Sequence, residues 1–135
     1  MMNMTPRGIR NCNPGNIRLS GDKWKGLREE QSDKEFFQFT SMAWGYRAMI
    51  RTLQNYRKLH DCWTIRDFIS RWAPSQENNT LAYILSVCKY LGVPSVYVPD
   101  VNDRDSMCGL AAAISKYENG VDPNMKEVYD GWDLL

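Results

Sequence analysis

The chain has 135 residues, which is enough for one domain with a hydrophobic core of its own. Its 43% hydrophobic and 24% charged residues are typical of a globular protein and exclude a disordered or fibrous chain. No apolar run approaches the ~20 residues of a membrane-spanning helix, and the N-terminus lacks the apolar segment of a secretory signal. We therefore expect a single domain over residues 1–135, made in the cytoplasm and independent of a membrane.

Metal, cofactor and nucleic-acid sites are not expected. The four cysteines lie far apart, and His60 is the only histidine, so no zinc-binding spacing exists. The net charge is only +1, whereas nucleic-acid-binding domains are usually strongly basic. Segment 7–28 is basic and the region 100–135 is acidic, so the two ends either attract each other or leave a basic face for a polyanion.

The N-terminal part, residues 7–40, is predicted to be mostly loop. Asn13-Pro14-Gly15 is a turn signal, and the aromatic segment 36–40 is short and prone to form a β-strand. Together with residues 17–19, that segment predicts a small β-hairpin or sheet near the N-terminus.

Four helices follow in chain order. Ser41 and Thr64 are good N-caps for helices over about 42–59 and 65–72, and Pro74 ends the second. The third begins near Asn79 or Thr80, ends at Gly92, and is expected to bury Leu81, Ile84, Leu85, Cys88 and Leu91. The fourth runs from about residue 103 or 105 to 118, and a further turn is expected around 125–129. The fold class is therefore mainly α (α+β).

Glu118 is the most promising catalytic acid. It lies in the last turn of the fourth predicted helix, where the negative end of the helix dipole disfavours a carboxylate. The residues before it are mainly apolar, so partial burial would also raise its pKa. A carboxylic acid that stays protonated near neutral pH is what a glycosidase needs to protonate a leaving oxygen. The alternative is an ordinary surface glutamate.

Other polar and aromatic residues are candidates for binding sugar. The amides of Asn11, Asn13 and Asn16 surround the Pro-Gly turn and offer paired donors and acceptors, although asparagine is also a common turn residue. Trp24 lies in a polar loop, which favours a position beside a cleft, whereas Trp44 and Trp72 fit helical core stripes. A second carboxylate is offered by three acids that fit solvent-exposed or helix-start positions equally well: Asp33, Glu35 and Glu77.

These segments resemble a family of small phage and prophage proteins described as virion-associated or lysozyme-like lytic proteins. The resemblance rests on RGIRNCNPGNIR, Trp24-Lys25-Gly26, FFQF, Gly45-Tyr46-Arg47-Ala48, WAPSQENNTLAY and YENG, and it extends over about residues 7–122. A more distant similarity links the same segments, in rotated order, to lytic transglycosylases and bacterial glucosaminidases. The resemblance implies a lysozyme-like domain that is circularly permuted.

The resemblance also implies an activity and its residues. Glu118 takes the position of the catalytic acid, and Tyr83 matches a tyrosine that hydrogen-bonds near the acid or the substrate's N-acetyl group. The substrate-binding set that goes with them is Asn11, Asn13, Asn16, Trp24, Gln38 and Tyr83. The usual serine after the catalytic glutamate is Asn119 here, and Cys12 replaces an asparagine of the turn motif.

The function expected from the resemblance is a peptidoglycan-degrading glycosidase, either a muramidase or a lytic transglycosylase, that needs no cofactor. It would act as a monomer on glycan strands at the bacterial cell wall, in phage lysis or as a virion component beside other virion proteins. The alternative is a non-catalytic virion structural or cell-wall-binding protein with a lysozyme-like fold.

Overall fold

A computed structural model describes residues 4–135, and six helices lie within them. Their bounds are α1 Arg7–Arg10, α2 Met42–His60, α3 Ile65–Trp72, α4 Thr80–Leu91, α5 Arg104–Asn119 and α6 Met125–Asp133. Helices α2 to α5 confirm the four helices predicted from the sequence. Helix α1 falls in a region predicted to be loop, and α6 is longer than the predicted turn.

Side-chain caps explain why the helices begin where they do. The Ser41 hydroxyl accepts a hydrogen bond from the Trp44 amide, and Asp103 caps α5 by accepting from Ser106. Thr64 and Asp67 form a reciprocal capping box at the start of α3. Helix α5 ends at Gly120, whose positive φ of 70° is the left-handed conformation that glycine adopts easily.

Helix α5 forms the centre of the core. Its buried residues run almost without interruption from Met107 to Ser115, and it packs against α2, α4 and α6. Helix α4 is rotated from the predicted orientation. Ile84 is buried as predicted, and Cys88 and Leu91 are partly buried. Leu81 and Leu85, however, are 66% and 59% exposed, and Tyr83 and Val87 are buried in their place. This rotation brings the Tyr83 side chain towards the end of α5.

The predicted β-hairpin or sheet, and with it the α+β class, is wrong. Within residues 4–135 the extended segments meet only at two isolated antiparallel bridges, Arg18 with Phe36 and Leu27 with Phe39. Side-chain amides take backbone groups that a ladder would need. Gln31 bonds both the N–H and the C=O of Gln38, at 2.8 Å each, and the Asn13 amide donates to the Phe37 carbonyl at 2.9 Å.

Arg7 and Arg18 pair with acids of the first 77 residues and not with the acidic C-terminal region. Arg7 contacts Asp33, and Arg18 contacts Glu35 and Glu77. Among residues 4–135, no ion pair joins segment 7–28 to the acids of 100–135, so the predicted attraction of the two ends is not realised as direct ion pairs.

Candidate active site

A cavity of about 470 Å³ lies between the N-terminal turn, α2, the connection from α3 to α4, and the C-terminal end of α5. Three polar residues line it that the sequence analysis had singled out, namely Asn16, Glu77 and Glu118. The other lining residues are Gly15, Ile17, Arg18, Phe36, Thr52, Tyr56, Trp72, Ala73, Pro74 and Asn78.

The Glu118 carboxylate is held by two donors from distant parts of the chain. Asn16 donates from Nδ2 to Oε1 at 2.8 Å, and the Tyr83 hydroxyl donates to Oε2 at 2.7 Å. Glu118 is half-buried at the end of α5 and faces the cavity. Three residues of the predicted site are therefore brought together.

The Tyr83 hydroxyl stays protonated and so can donate to the Glu118 carboxylate. Burial, followed by the nearby Glu118 carboxylate, raises the pKa of the Tyr83 hydroxyl far above its ordinary value. The hydroxyl therefore keeps its proton at any physiological pH. Its ring is fully buried and stacks on Tyr117, with the two ring centroids 3.9 Å apart. The donor and the helix end that it contacts are thus fixed together.

The turn that carries Asn16 is built from the buried side chain of Asn13. Asn13 donates from Nδ2 to the carbonyls of Ile17 and Phe37, at 3.0 and 2.9 Å, and accepts from the Ile17 amide at 2.9 Å. Asn16 adopts a left-handed conformation with φ of 50°, which asparagine tolerates better than most residues. This conformation directs the Asn16 amide towards Glu118.

The turn is also attached directly to α5. The Asn119 amide, which is buried, donates to the Pro14 carbonyl at 2.9 Å and to the Ser115 carbonyl at 3.0 Å. Gly8 allows this close approach, because a Cβ there would collide with Asn119 Oδ1 and lie 2.9 Å from the Asn13 carbonyl oxygen. The residue after the catalytic candidate thus holds the turn that supplies one of its donors.

Three of the predicted sugar-binding amides, those of Asn11, Asn13 and Gln38, do not line the cavity, and neither does Asp33. Asn11 and Gln38 are buried, and the Gln38 amide donates to Asn11 Oδ1 at 3.1 Å. Asn11 in turn donates to Asp33 Oδ2 at 3.0 Å, and Arg7 binds both oxygens of Asp33 at 2.7 Å. The hydrogen bonds of these three amides are therefore made to groups within the protein and not to a ligand in the cavity.

Asp33 gives a pH-dependent prediction. The bidentate Arg7 guanidinium, with help from backbone and Asn11 donors, holds the pKa of the Asp33 carboxyl well below its ordinary value. Because the folded-state pKa is depressed, its stabilisation is present above the unfolded pKa of about 4 and is lost as the pH falls below it. We expect Asp33→Asn to lower the thermal midpoint at pH 7 and to flatten its decline between pH 5 and pH 2, roughly the window set by that pKa.

The matched control is Asp122→Asn, since Asp122 pairs with Lys116 through a side chain that is 89% exposed. Its midpoint should follow that of the wild type across the whole range. If the thermal midpoints of Asp33→Asn and the wild type decline in parallel between pH 5 and pH 2, the predicted contribution of Asp33 to acid sensitivity is wrong.

Of the three candidates for a second carboxylate, only Glu77 lines the cavity. It lies across from Arg18, with 3.6 Å between Glu77 Oε2 and Arg18 Nε. Asp33 is committed to Arg7, and Glu35 contacts Arg7 and Arg18 at 3.5 and 3.7 Å.

Trp24 lies in a neighbouring cavity and not in the one that contains Glu118. It packs against the small cluster of Phe37, Phe39 and Ala48, and its indole nitrogen is buried without an acceptor among residues 4–135. The neighbouring cavity shares Thr52 and Tyr56 with the first, so the two are adjacent along α2.

The aromatic walls of the main cavity were missed in the sequence analysis. Trp72 and Tyr56 meet edge to face with ring centroids 6.3 Å apart, and Phe36, from the N-terminal part of the chain, also lines the cavity. The sequence predicts a core position for Trp72, and its side chain both packs on the core and lines the cavity. Thr52 and Tyr56 are four residues apart on α2, a spacing that places them on one face of the helix.

Among the residues that the structure describes, no group of three or more histidine, cysteine, aspartate or glutamate side chains is arranged to hold a metal ion. In the same part of the chain, each helix is too short or too polar to cross a membrane.

Comparison with known proteins identifies a phage relative. The chain is 35% identical over 125 residues to Protein P5 of Pseudoalteromonas phage PM2, and the match covers 90% of this chain and 76% of that protein. No protein-family model matches the chain. The similarity supports a phage-derived protein.

Proposed function

The chain belongs to the family of Protein P5 of Pseudoalteromonas phage PM2, and from that premise we propose that it is a peptidoglycan-degrading glycosidase with Glu118 as its general acid. The observation that carries the proposal is the Glu118 carboxyl group in the wall of an open cavity, fixed there by Asn16 and Tyr83. The substrate is the β-1,4-linked backbone of N-acetylmuramic acid and N-acetylglucosamine.

Glu118 transfers a proton twice in the proposed reaction. In its protonated form it donates to the bridging oxygen while the bond from that oxygen to the sugar C1 breaks. The positive charge that develops at C1 is stabilised by the substrate's own N-acetyl group or by the Glu77 carboxylate. The Glu118 carboxylate then accepts a proton from water, which gives hydrolysis, or from the muramyl 6-hydroxyl, which closes a 1,6-anhydro ring.

The two donors to Glu118 suit both halves of that cycle. In the carboxylate form, Asn16 and Tyr83 each donate to one oxygen. When Glu118 is protonated, its O–H can instead donate a hydrogen bond to the phenolic oxygen, since a tyrosine hydroxyl both donates and accepts. Tyr83 thus keeps the group oriented in either protonation state.

The aromatic wall supports a sugar as the ligand. Tyr56, Trp72 and Phe36 offer apolar faces, while Thr52, Asn78 and Asn16 offer hydroxyl and amide groups. Sugar rings present apolar C–H faces together with hydroxyl edges, and amphipathic aromatic residues suit that combination. The proposed partners are glycan strands of the bacterial cell wall and other virion proteins, and the site of action is the cell wall.

Removing the Tyr83 hydroxyl should lower turnover with little effect on folding. In Tyr83→Phe the buried ring remains, but Glu118 Oε2 loses its donor. We expect kcat on peptidoglycan to fall by about tenfold, with KM little changed, because a charge-assisted hydrogen bond is lost at the reacting group. Steady-state kinetics on solubilised glycan strands measure this.

Tyr117→Phe is the matched control, since Tyr117 stacks on Tyr83 but its hydroxyl has no hydrogen-bond partner among residues 4–135. Equal losses of kcat in the two variants would show that the ring packing matters and that the Tyr83 hydroxyl does not position Glu118.

Product mass tests the proposed function. Purified peptidoglycan is incubated with the protein, and the soluble fraction is analysed by mass spectrometry. We expect disaccharide-peptide products, either as hydrolysis products or lighter by one water molecule where the anhydro ring has closed. Absence of glycan cleavage, under conditions in which the protein is folded, overturns the proposal.

A non-catalytic role is favoured by one observation. Both oxygens of Glu118 already accept hydrogen bonds within the protein, so the residue also ties α4, α5 and the N-terminal turn together. A cell-wall-binding or virion structural protein needs only these two hydrogen bonds and the cavity, without proton transfer by Glu118. Sedimentation of the protein with insoluble peptidoglycan, without release of fragments, distinguishes that role from the enzymatic one.

A further inference from the structure

Arg18 has unused hydrogen-bond donors in the cavity wall. Its side chain is 56% exposed, and its guanidinium lies 3.6 Å from Glu77 and 3.7 Å from Glu35. It makes no hydrogen bond within residues 4–135, because both contacts are too long or poorly aligned. A planar group with five N–H donors therefore lines the same cavity as Glu118 without a close acceptor.

Two other arginines that lie beside carboxylates form close bidentate pairs with them. Arg7 binds Asp33 through two bonds of 2.7 Å, and Arg104 binds Asp133 through bonds of 3.0 and 2.9 Å. These pairs have the bidentate geometry that arginine prefers with a carboxylate. Arg18 has two carboxylates nearby and forms that geometry with neither.

One aromatic contact and two long carboxylate contacts orient the Arg18 side chain. Its guanidinium lies over the Phe36 ring at 5.3 Å from the ring centroid, while Arg7 lies at 4.7 Å from the same centroid. Glu35 and Glu77 are both more than half exposed, so their long contacts with Arg18 contribute little and are easily exchanged. The site is therefore oriented in advance and open to a stronger acceptor.

We infer that Arg18 binds a carboxylate of the glycan substrate and so selects anionic glycans over neutral ones. The inference rests on the proposed function and specifies the substrate of the same cavity. A ligand carboxylate that accepts hydrogen bonds from two N–H groups of the Arg18 guanidinium displaces Glu77 from Arg18. The carboxylate comes either from the lactyl group of N-acetylmuramic acid or from the attached peptide.

Binding is measured in a Glu118→Gln background, so that the ligands are not cleaved. Calorimetric titration compares three probes with the same β-1,4 backbone length. They are chitotetraose, which is neutral, a tetrasaccharide of alternating N-acetylglucosamine and N-acetylmuramic acid with free lactyl groups, and the same tetrasaccharide carrying stem peptides. We expect Arg18→Gln to weaken binding of an anionic probe by about tenfold and to leave chitotetraose unchanged.

The two anionic probes distinguish the source of the carboxylate. A loss confined to the free lactyl probe assigns Arg18 to the lactyl group, and a loss with the peptide-bearing probe assigns it to the stem peptide. Glu77→Gln should act in the opposite direction and tighten the anionic probe, since it removes the competing carboxylate from Arg18. A merely structural Arg18–Glu77 bridge would give losses of the same sign in both variants.

Arg10→Gln is the matched control, because Arg10 is exposed on the same N-terminal segment but does not line the cavity. The inference is overturned if Arg18→Gln weakens all three probes equally, or none of them. If the Glu118→Gln protein binds no probe and the wild type releases no product, the proposed function fails and the inference fails with it. If Arg18→Gln binds chitotetraose and keeps the wild-type preference between anionic probes and chitotetraose, only the role of Arg18 is overturned. The proposed function then remains intact.

Discussion

Replacing Glu118 with glutamine is expected to lower the rate of peptidoglycan cleavage by about a thousandfold, the middle of the range for loss of a general acid. Glutamine has the shape of the carboxylic acid but no proton that it can give to the bridging oxygen. The rate is measured as soluble fragments released per unit time, with products identified by mass.

The variant should remain folded. Its amide oxygen still accepts from Asn16, and its amide nitrogen faces the Tyr83 hydroxyl, whose oxygen can accept in place of donating. A thermal midpoint close to that of the wild type is the check on this point. Loss of activity therefore reports on chemistry and not on unfolding.

Glu77→Gln is the control within the same cavity. If Glu77 stabilises the charge at C1, its loss lowers the rate as well, but a protein without Glu77 still has the acid that begins the reaction. A wild-type rate for Glu118→Gln together with an inactive Glu77→Gln would show that Glu77 is the acid and that the orientation proposed for the substrate is wrong.

The helices could be predicted because their signals are local. Ser41, Thr64 and Asp103 each cap a helix through a hydrogen bond to a residue three positions along, and Gly92 and Gly120 end helices through their own left-handed conformation. Which face of α4 is buried depends on its neighbours instead. Tyr83 turns inwards because α5 supplies Tyr117 and Glu118, and Leu81 and Leu85 are left outside.

The region 17–40 could not be predicted in the same way. An alternating aromatic segment predicts a strand, but a strand also needs a partner with free backbone groups over several residues. Here the Gln38 N–H donates to the Gln31 side chain and the Phe37 carbonyl accepts from the Asn13 side chain, so these two groups do not extend a ladder. Such side-chain hydrogen bonds depend on the three-dimensional path of the chain, and the pattern of residue types does not predict that path.

The site was anticipated in part. Asn16 and Glu118 are 102 positions apart in the sequence, and their contact follows from the turn that Asn13 and Asn119 build. The three asparagines of the turn look alike in the sequence. Their roles differ because their side chains point in different directions. Asn16 lines the cavity, whereas Asn11 and Asn13 are buried within the protein.

This difference predicts opposite consequences for two asparagines of the same turn. Asn13→Ala removes three hydrogen bonds at a fully buried position and leaves the Ile17 amide and the carbonyls of Ile17 and Phe37 without those partners. We expect the free energy of unfolding to fall by about 3 kcal/mol, because buried unsatisfied groups retain their desolvation penalty. Urea denaturation monitored by tryptophan fluorescence gives the value.

Asn16→Gly is the matched variant, because glycine keeps the left-handed backbone at that position and removes only the amide that contacts Glu118. Its free energy of unfolding should change by about 1 kcal/mol or less, the value of a single partly exposed hydrogen bond. Its activity should fall at temperatures where it is fully folded, since Glu118 then lacks one of its two donors.

The two variants therefore separate support of the turn from the orientation of Glu118. Asn13→Ala should regain activity in proportion to its folded fraction as the temperature is lowered, because Asn16, Tyr83 and Glu118 are all present once the turn forms. Asn16→Gly should not regain activity in this way. An Asn13→Ala protein with wild-type stability but no affinity for glycan would mean that Asn13 contacts the sugar directly, and that the turn is held by other bonds, such as the one from Asn119 to the Pro14 carbonyl.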